Sequence, residues 1–231
     1  MAEYDVILLD ADMTLLDFER SEYEALGRTL TKWGLPADEE ARATYSKINA
    51  ALWDAFARGE VDQDFLTKER FAAFMRVYGE TGPADQINRD YLTFLGEEAF
   101  LLPGAMEFCQ VLSRSGKTLA IATNGLPVAQ RGRYTRTGMD RVIPNIFISM
   151  ELGVAKPRPE YFDRVLEELN VTDRSRVVMV GDSLTSDILG ANRAGIDSVW
   201  YNPGKKPLTG TAVPTYEAAS YDDILAILGM E

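Results

Sequence analysis

The strongest constraint on the fold is the second half of the chain, where short apolar runs alternate with amphipathic helical stretches. From Leu102-Pro103-Gly104 onward, the spacing predicts helices over residues 105–113, 128–137, 160–169 and 184–194. Between and after them it predicts strands over residues 118–123, 146–149, 177–181 and 198–201. Strands separated by helices pair in parallel, because each crossover carries the chain back to start again in the same direction. Residues 4–10 (YDVILLD) form one more apolar run, ending in an acid, and read as a central strand buried on both faces. The expected fold class is therefore α/β, with a Rossmann-like doubly wound parallel sheet.

Residues 18–96 interrupt this pattern. They carry no strand signal, only helical stretches over 18–33, 38–58, 62–78 and 84–95. Gly34-Leu35-Pro36, Gly59 and Gly82-Pro83 separate them. An all-helical block between the first strand and the rest of a sheet is an insertion. The expected organisation is a core of residues 1–17 plus 97–231 and a helical cap of residues 18–96. Trp33, Trp53, Phe56, Phe65, Phe71 and Phe74 are expected to fill the cap's core, Cys109 to be a buried apolar residue, and GKKPLTG (204–210) to be a surface loop.

Composition removes several kinds of chemistry. The chain has no histidine and one cysteine, which excludes Ser-His-Asp triads, phosphohistidine chemistry, and zinc sites built on His or Cys. Any metal should be a hard cation with oxygen ligands. Proton transfer falls to carboxylates, Lys, Tyr or metal-bound water. A net charge of −12 argues against nucleic acid or an anionic membrane as partner. No run approaches the roughly 20 apolar residues of a membrane span, and the N-terminus lacks a signal-peptide pattern, so a cytoplasmic location is expected.

Ligands of parallel α/β sheets bind at the carboxyl ends of the strands. Three predicted strands end there in polar clusters: Asp10-Ala11-Asp12-Met13-Thr14, Thr123-Asn124-Gly125 and Gly181-Asp182-Ser183, with Asp187 just beyond. Lys156-Pro157 lies in a loop before a helix. A carboxylate such as Asp10 can attack phosphorus as a covalent nucleophile. A second one two residues on, Asp12, can protonate the leaving alkoxide and then activate water. A divalent cation held by Asp10, the Asp12 backbone carbonyl and Asp182, with Asp187 behind them, would offset repulsion between carboxylate and phosphate. Lys156 could neutralise further charge, and the Thr123 hydroxyl and Asn124 backbone N–H could hold phosphoryl oxygens. Each cluster alone is an ordinary turn or helix cap. Their order, at consecutive strand ends, carries the argument.

That ordered set resembles the haloacid dehalogenase superfamily, in which the first Asp is the nucleophile, the second the acid/base and the metal usually magnesium. An insertion directly after the first motif is similar to its C1-type helical cap. The strings DADMTLLDF (10–18), ALWDAFARGEV (51–61), LPGA (102–105), TNG (123–125), GVAKPRPEYF (153–162) and RSRVVMVGDSLTSDILGANRAG (174–195) look most like the bacterial noncanonical pyrimidine nucleotidases. The resemblance implies a magnesium-dependent phosphatase, with a small phosphate ester, a pyrimidine nucleoside monophosphate, as partner. Met13 stands where many members carry glycine, which points away from the phosphoglucomutase-like branch. A broad-range sugar phosphatase, a phosphomutase and a haloacid dehalogenase are the alternatives. The last of these needs no second Asp, so Asp12 favours phosphate chemistry.

Overall fold

The computed structural model describes residues 3–230. Six parallel strands form one sheet in the order β3-β2-β1-β4-β5-β6. They are β1 (Val6–Leu9), β2 (Thr118–Thr123), β3 (Asn145–Ile148), β4 (Val177–Gly181), β5 (Asp197–Tyr201) and β6 (Tyr216–Ala218). β1 lies between β2 and β4, pairing Leu9 with Ile121 on one side and Val180 on the other. The chain moves outward from β1 in both directions, so the crevice beyond the carboxyl end of β1 is the topological switch point.

All four residues of β1 are buried, because both faces of the sheet are covered. Ile7 and Leu9 face one layer, with Ile121, Val178 and Val180. Helices α5 (Ala105–Arg114) and α10 (Tyr221–Ile227) close that side through Phe108, Leu112 and Ile224. Val6 and Leu8 face the other, under α8 (Pro159–Glu168), which contributes Tyr161, Phe162 and Val165. The strands therefore lack the apolar/polar alternation of a half-solvated sheet.

The helical block comprises α1 (Phe18–Trp33), α2 (Glu39–Ala57), α3 (Gln63–Tyr78) and α4 (Ala84–Glu97). Asp17, Asp38 and Asp62 cap the first three, each side chain accepting a backbone N–H of the first turn. Tyr45, Phe71, Phe74 and Tyr91 are fully buried and pack ring against ring in the block's core. The aromatic assignment made from sequence is corrected in part. Phe65 is 48% exposed because it falls on the outer face of α3. Trp53 and Phe56 lie outside the buried cluster, packed edge to face at 5.7 Å. Trp33 is half-buried, and its indole N–H donates to Asp90 at 2.9 Å.

α4 lies against α6 (Pro127–Arg136) of the sheet domain at a glycine crossing. A Cβ added to Gly132 would lie 2.6 Å from the Gly96 carbonyl oxygen, so only glycine allows this approach. A second tie runs from Gln63 Nε2 to the Asn124 carbonyl at 3.1 Å.

The short helix α7 (Ser149–Leu152) follows β3, and α9 (Leu189–Ala194) grows out of a π turn over Leu184–Ile188. β6 and α10 lie beyond the last element predicted from sequence, and α7, between β3 and α8, is not predicted either: Ser149, expected to end a strand, begins this helix. Residues 203–210 are exposed, as expected. Cys109 is buried. Among the described residues, no helix is long and apolar enough to cross a membrane.

Candidate active site

The polar clusters converge at the switch point. Asp10 leaves β1 with its backbone N–H bonded to the Val180 carbonyl at 2.9 Å. Its Oδ1 accepts from Lys156 Nζ at 2.7 Å. Lys156 is 1% exposed and donates as well to Asp187 Oδ1 at 2.6 Å and to the Ala122 carbonyl at 2.5 Å, so its three protons are all used. Burial would strip this ammonium of its proton, but the charges of Asp10 and Asp187 outweigh that and hold it charged.

Asn124 positions that lysine. Its side chain accepts from the Lys156 backbone N–H at 3.0 Å and donates to the Lys156 carbonyl at 2.8 Å, clasping two loops across the sheet edge. The Thr123 hydroxyl is buried and accepts from the Gly125 N–H at 3.0 Å.

Asp187 is fully buried, and its Oδ2 accepts from the Ser183 N–H at 3.1 Å. A side chain on Gly181 would strike that oxygen at 2.3 Å, so the glycine makes room for the acid. Asp182 is fixed through its backbone: Thr14 Oγ1 accepts from its N–H at 3.1 Å, and its carbonyl accepts from Trp200 Nε1 at 2.9 Å. Carboxylate oxygens of Asp10, Asp182 and Asp187 lie within 4.8 Å of one another. Burial and the charge of Asp187 push Asp182 up to about 7, and the same two causes raise Asp10 against the pull of Lys156. Three crowded carboxylates that one ammonium does not neutralise fit a hard divalent cation with oxygen ligands. Asp187, expected behind the metal, stands in the same cluster as the other two.

Asp12 faces away from that cluster. Gln130 Nε2 donates to its Oδ2 at 2.6 Å and Arg133 Nη2 to the same oxygen at 3.2 Å. The closest ion contact, Arg133 Nη1 to Asp12 Oδ1 at 2.7 Å, lacks the alignment of a hydrogen bond. Gln130 and Arg133, one helical turn apart on α6, escaped the sequence reading; a polar pair at that spacing gives no sign of its partner until α6 is placed. Met13 has φ of 61°, in the left-handed region where glycine is favoured. Its backbone therefore holds a turn in a conformation that glycine adopts most readily.

A cavity of about 550 Å³ opens over these groups, within the size range of small-ligand sites. Asp10, Asp12, Thr123 and Asp182 form its floor, while Phe18, Trp53, Arg70 and Leu92 of the helical block form its roof.

Comparison with known proteins agrees with this geometry. The haloacid dehalogenase-like hydrolase family matches residues 4–195. YfnB of Bacillus subtilis is 34% identical over the whole chain and 98% of its own length. Its crystal structure, bound to magnesium, superposes with a TM-score of 0.92 over 99% of this chain and 100% of that one, at 33% identity. The pyrimidine 5′-nucleotidases PynA of Streptococcus pneumoniae and YjjG of Escherichia coli are each 32% identical, covering 97% and 98% of this chain and 95% and 98% of their own. With the sheet order, the strand-end acids and a match across most of its length, the chain belongs to the haloacid dehalogenase-like hydrolases.

Proposed function

We propose that this chain is a magnesium-dependent phosphatase that forms an aspartyl phosphate on Asp10 and prefers pyrimidine nucleoside 5′-monophosphates. The observation that carries the reading is the Asp10–Lys156–Asp187 array at the carboxyl end of β1, beneath a cavity large enough for a small ester. Lys156 occupies Oδ1 of Asp10, which leaves Oδ2 as the attacking oxygen. That oxygen bonds to phosphorus as the ester P–O bond breaks, and Asp12 gives the leaving alkoxide its proton. Asp12 then takes a proton from water. The water oxygen attacks phosphorus, the P–O bond to Asp10 breaks, and inorganic phosphate leaves.

Asp10, Asp182 and the Asp12 carbonyl would hold Mg²⁺, with Asp187 buttressing them; the ion supplies charge neutralisation for the phosphoryl oxygens. Lys156 keeps Asp10 oriented, and the Thr123 and Asn124 loop receives the phosphoryl group. Residues 18–96 act as the cap over a core of residues 1–17 and 97–231, excluding water and contacting the leaving group. The pyrimidine preference draws on PynA and YjjG, which are similar over nearly their whole lengths.

Phosphate release with magnesium across nucleotides and sugar phosphates tests the reading. UMP, dUMP and dTMP should lead in kcat/KM. A sugar phosphate or purine nucleotide ahead of every pyrimidine nucleotide would remove the substrate claim. Phosphatase activity near the wild-type rate in a folded Asp10→Asn variant would remove the mechanism.

A further inference from the structure

The roof of the cavity contains a cation that the phosphate chemistry does not use. Arg70, on α3, is 2% exposed and lines the cavity. Its Nε donates to Asn88 Oδ1 at 2.8 Å, its Nη2 donates to the same oxygen, and its Nη1 reaches Asn49 Oδ1 only at 3.5 Å. The guanidinium lies over the Tyr91 ring, 4.7 Å from the centroid. Among the described residues, no carboxylate is in ion-pair contact with it. Glu22, whose carboxyl feels the Arg70 charge, is bonded instead to Asn49 at 2.7 Å and Ser46 at 2.8 Å. A buried guanidinium with no carboxylate in contact is costly, and a ligand facing it from the cavity would supply a further acceptor. A guanidinium has five N–H donors in a planar fork, and Asn88 and Asn49 take up three of them here.

The surroundings define the acceptor. Trp53 and Leu92 give the roof a flat, apolar wall, and Asp54 beside them disfavours a second anion. A planar, uncharged ring with a carbonyl oxygen on its edge satisfies both. We infer that Arg70 and Trp53 form a base subsite, in which the indole stacks on a pyrimidine ring and the Arg70 fork donates to its 2-carbonyl. Uracil, thymine and cytosine all carry that oxygen, and adenine has no ring carbonyl. This subsite rests on the nucleotidase reading, and it names the residues that would confer the preference.

The test compares kcat/KM for UMP, CMP, AMP, ribose 5-phosphate and a ribose bisphosphate in the wild type, Arg70→Lys and Trp53→Leu, all with magnesium. Arg70→Lys keeps the charge and loses the fork. The ratios of UMP and CMP to ribose 5-phosphate should each fall by about tenfold or more, mainly through KM, while the AMP ratio moves less. Trp53→Leu, at a half-buried position, should lower the UMP ratio by about fivefold or more, and it carries the test if Arg70→Lys does not fold. Unchanged pyrimidine ratios in either folded variant overturn the subsite, as does an AMP ratio that falls as far as the UMP ratio. A wild type that prefers a sugar bisphosphate, and loses that preference in Arg70→Lys, assigns Arg70 to a second anion and also overturns it. A wild type with no preference for UMP over ribose 5-phosphate instead refutes the nucleotidase reading on its own.

Discussion

Replacing Gly132 with alanine should separate α4 from α6 and disturb catalysis through a residue that touches no substrate. The new Cβ would lie 2.6 Å from the Gly96 carbonyl oxygen and 2.8 Å from Gly96 Cα, both backbone atoms that no rotamer change can move. Ordinary contact begins at 3.4 Å, so α4 and α6 must part by roughly 0.8 Å. Overpacking of this kind costs about 1–3 kcal/mol. Alanine recovers up to about 1 kcal/mol of helix propensity, leaving a net loss of about 0–2 kcal/mol when that recovery is complete. The larger effect is on geometry. α6 carries Gln130 and Arg133, which hold the Asp12 carboxylate, and a displacement near 1 Å at a reacting group can cost as much as 100-fold. We expect kcat for a phosphate ester with a poor leaving group to fall about tenfold or more. Urea denaturation followed by circular dichroism gives the stability, and phosphate release gives kcat. Gly96→Ala, whose Cβ would meet the Val128 carbonyl at 3.0 Å, should do the same more weakly. A Gly132→Ala protein that gains about 1 kcal/mol and keeps wild-type kcat would refute the reasoning, because it would mean the helices do not touch there.

Lys156→Met removes the cation from between Asp10 and Asp187 and should cost about 3–5 kcal/mol in urea denaturation, with turnover lost; stability within 1 kcal/mol of wild type would count against the buried ion pair as structural. Chelation should abolish turnover, and magnesium should restore it better than calcium, since magnesium holds a compact octahedral geometry. Magnesium should also raise the Tm of the wild type and raise it little in Asp182→Asn; equal shifts would place the ion elsewhere. Asp12→Ala should slow hydrolysis most for esters with poor leaving groups, and equal losses for good and poor ones would argue against proton donation by Asp12.

What could be read from the chain alone was whatever is local. Apolar runs of four to six residues separated by helical stretches dictate a parallel sheet, because each helical crossover carries the chain back to start the next strand in the same direction. Acids and hydroxyls at the ends of those runs, Asp10, Thr123 and Asp182, fall at one edge once the strands are parallel, so most of the candidate site was visible before any tertiary contact. β6 has only three residues, too few for a periodicity to register, and α10 is recognisable mainly by the core it covers. Trp53 and Phe65 show the limit of composition: aromatic residues on amphipathic helices read alike until the helix is rotated against its neighbours. Tertiary structure alone decided which groups meet. Lys156 reaches Asp10 across 146 residues of chain, and Gln130 and Arg133 reach Asp12 across 118 and 121. Neither contact has a sequence period, because each depends on the order in which the sheet is wound. The approach of α4 to α6 was equally hidden: it turns on two glycines, Gly96 and Gly132, whose missing side chains matter only where two backbones come within contact distance.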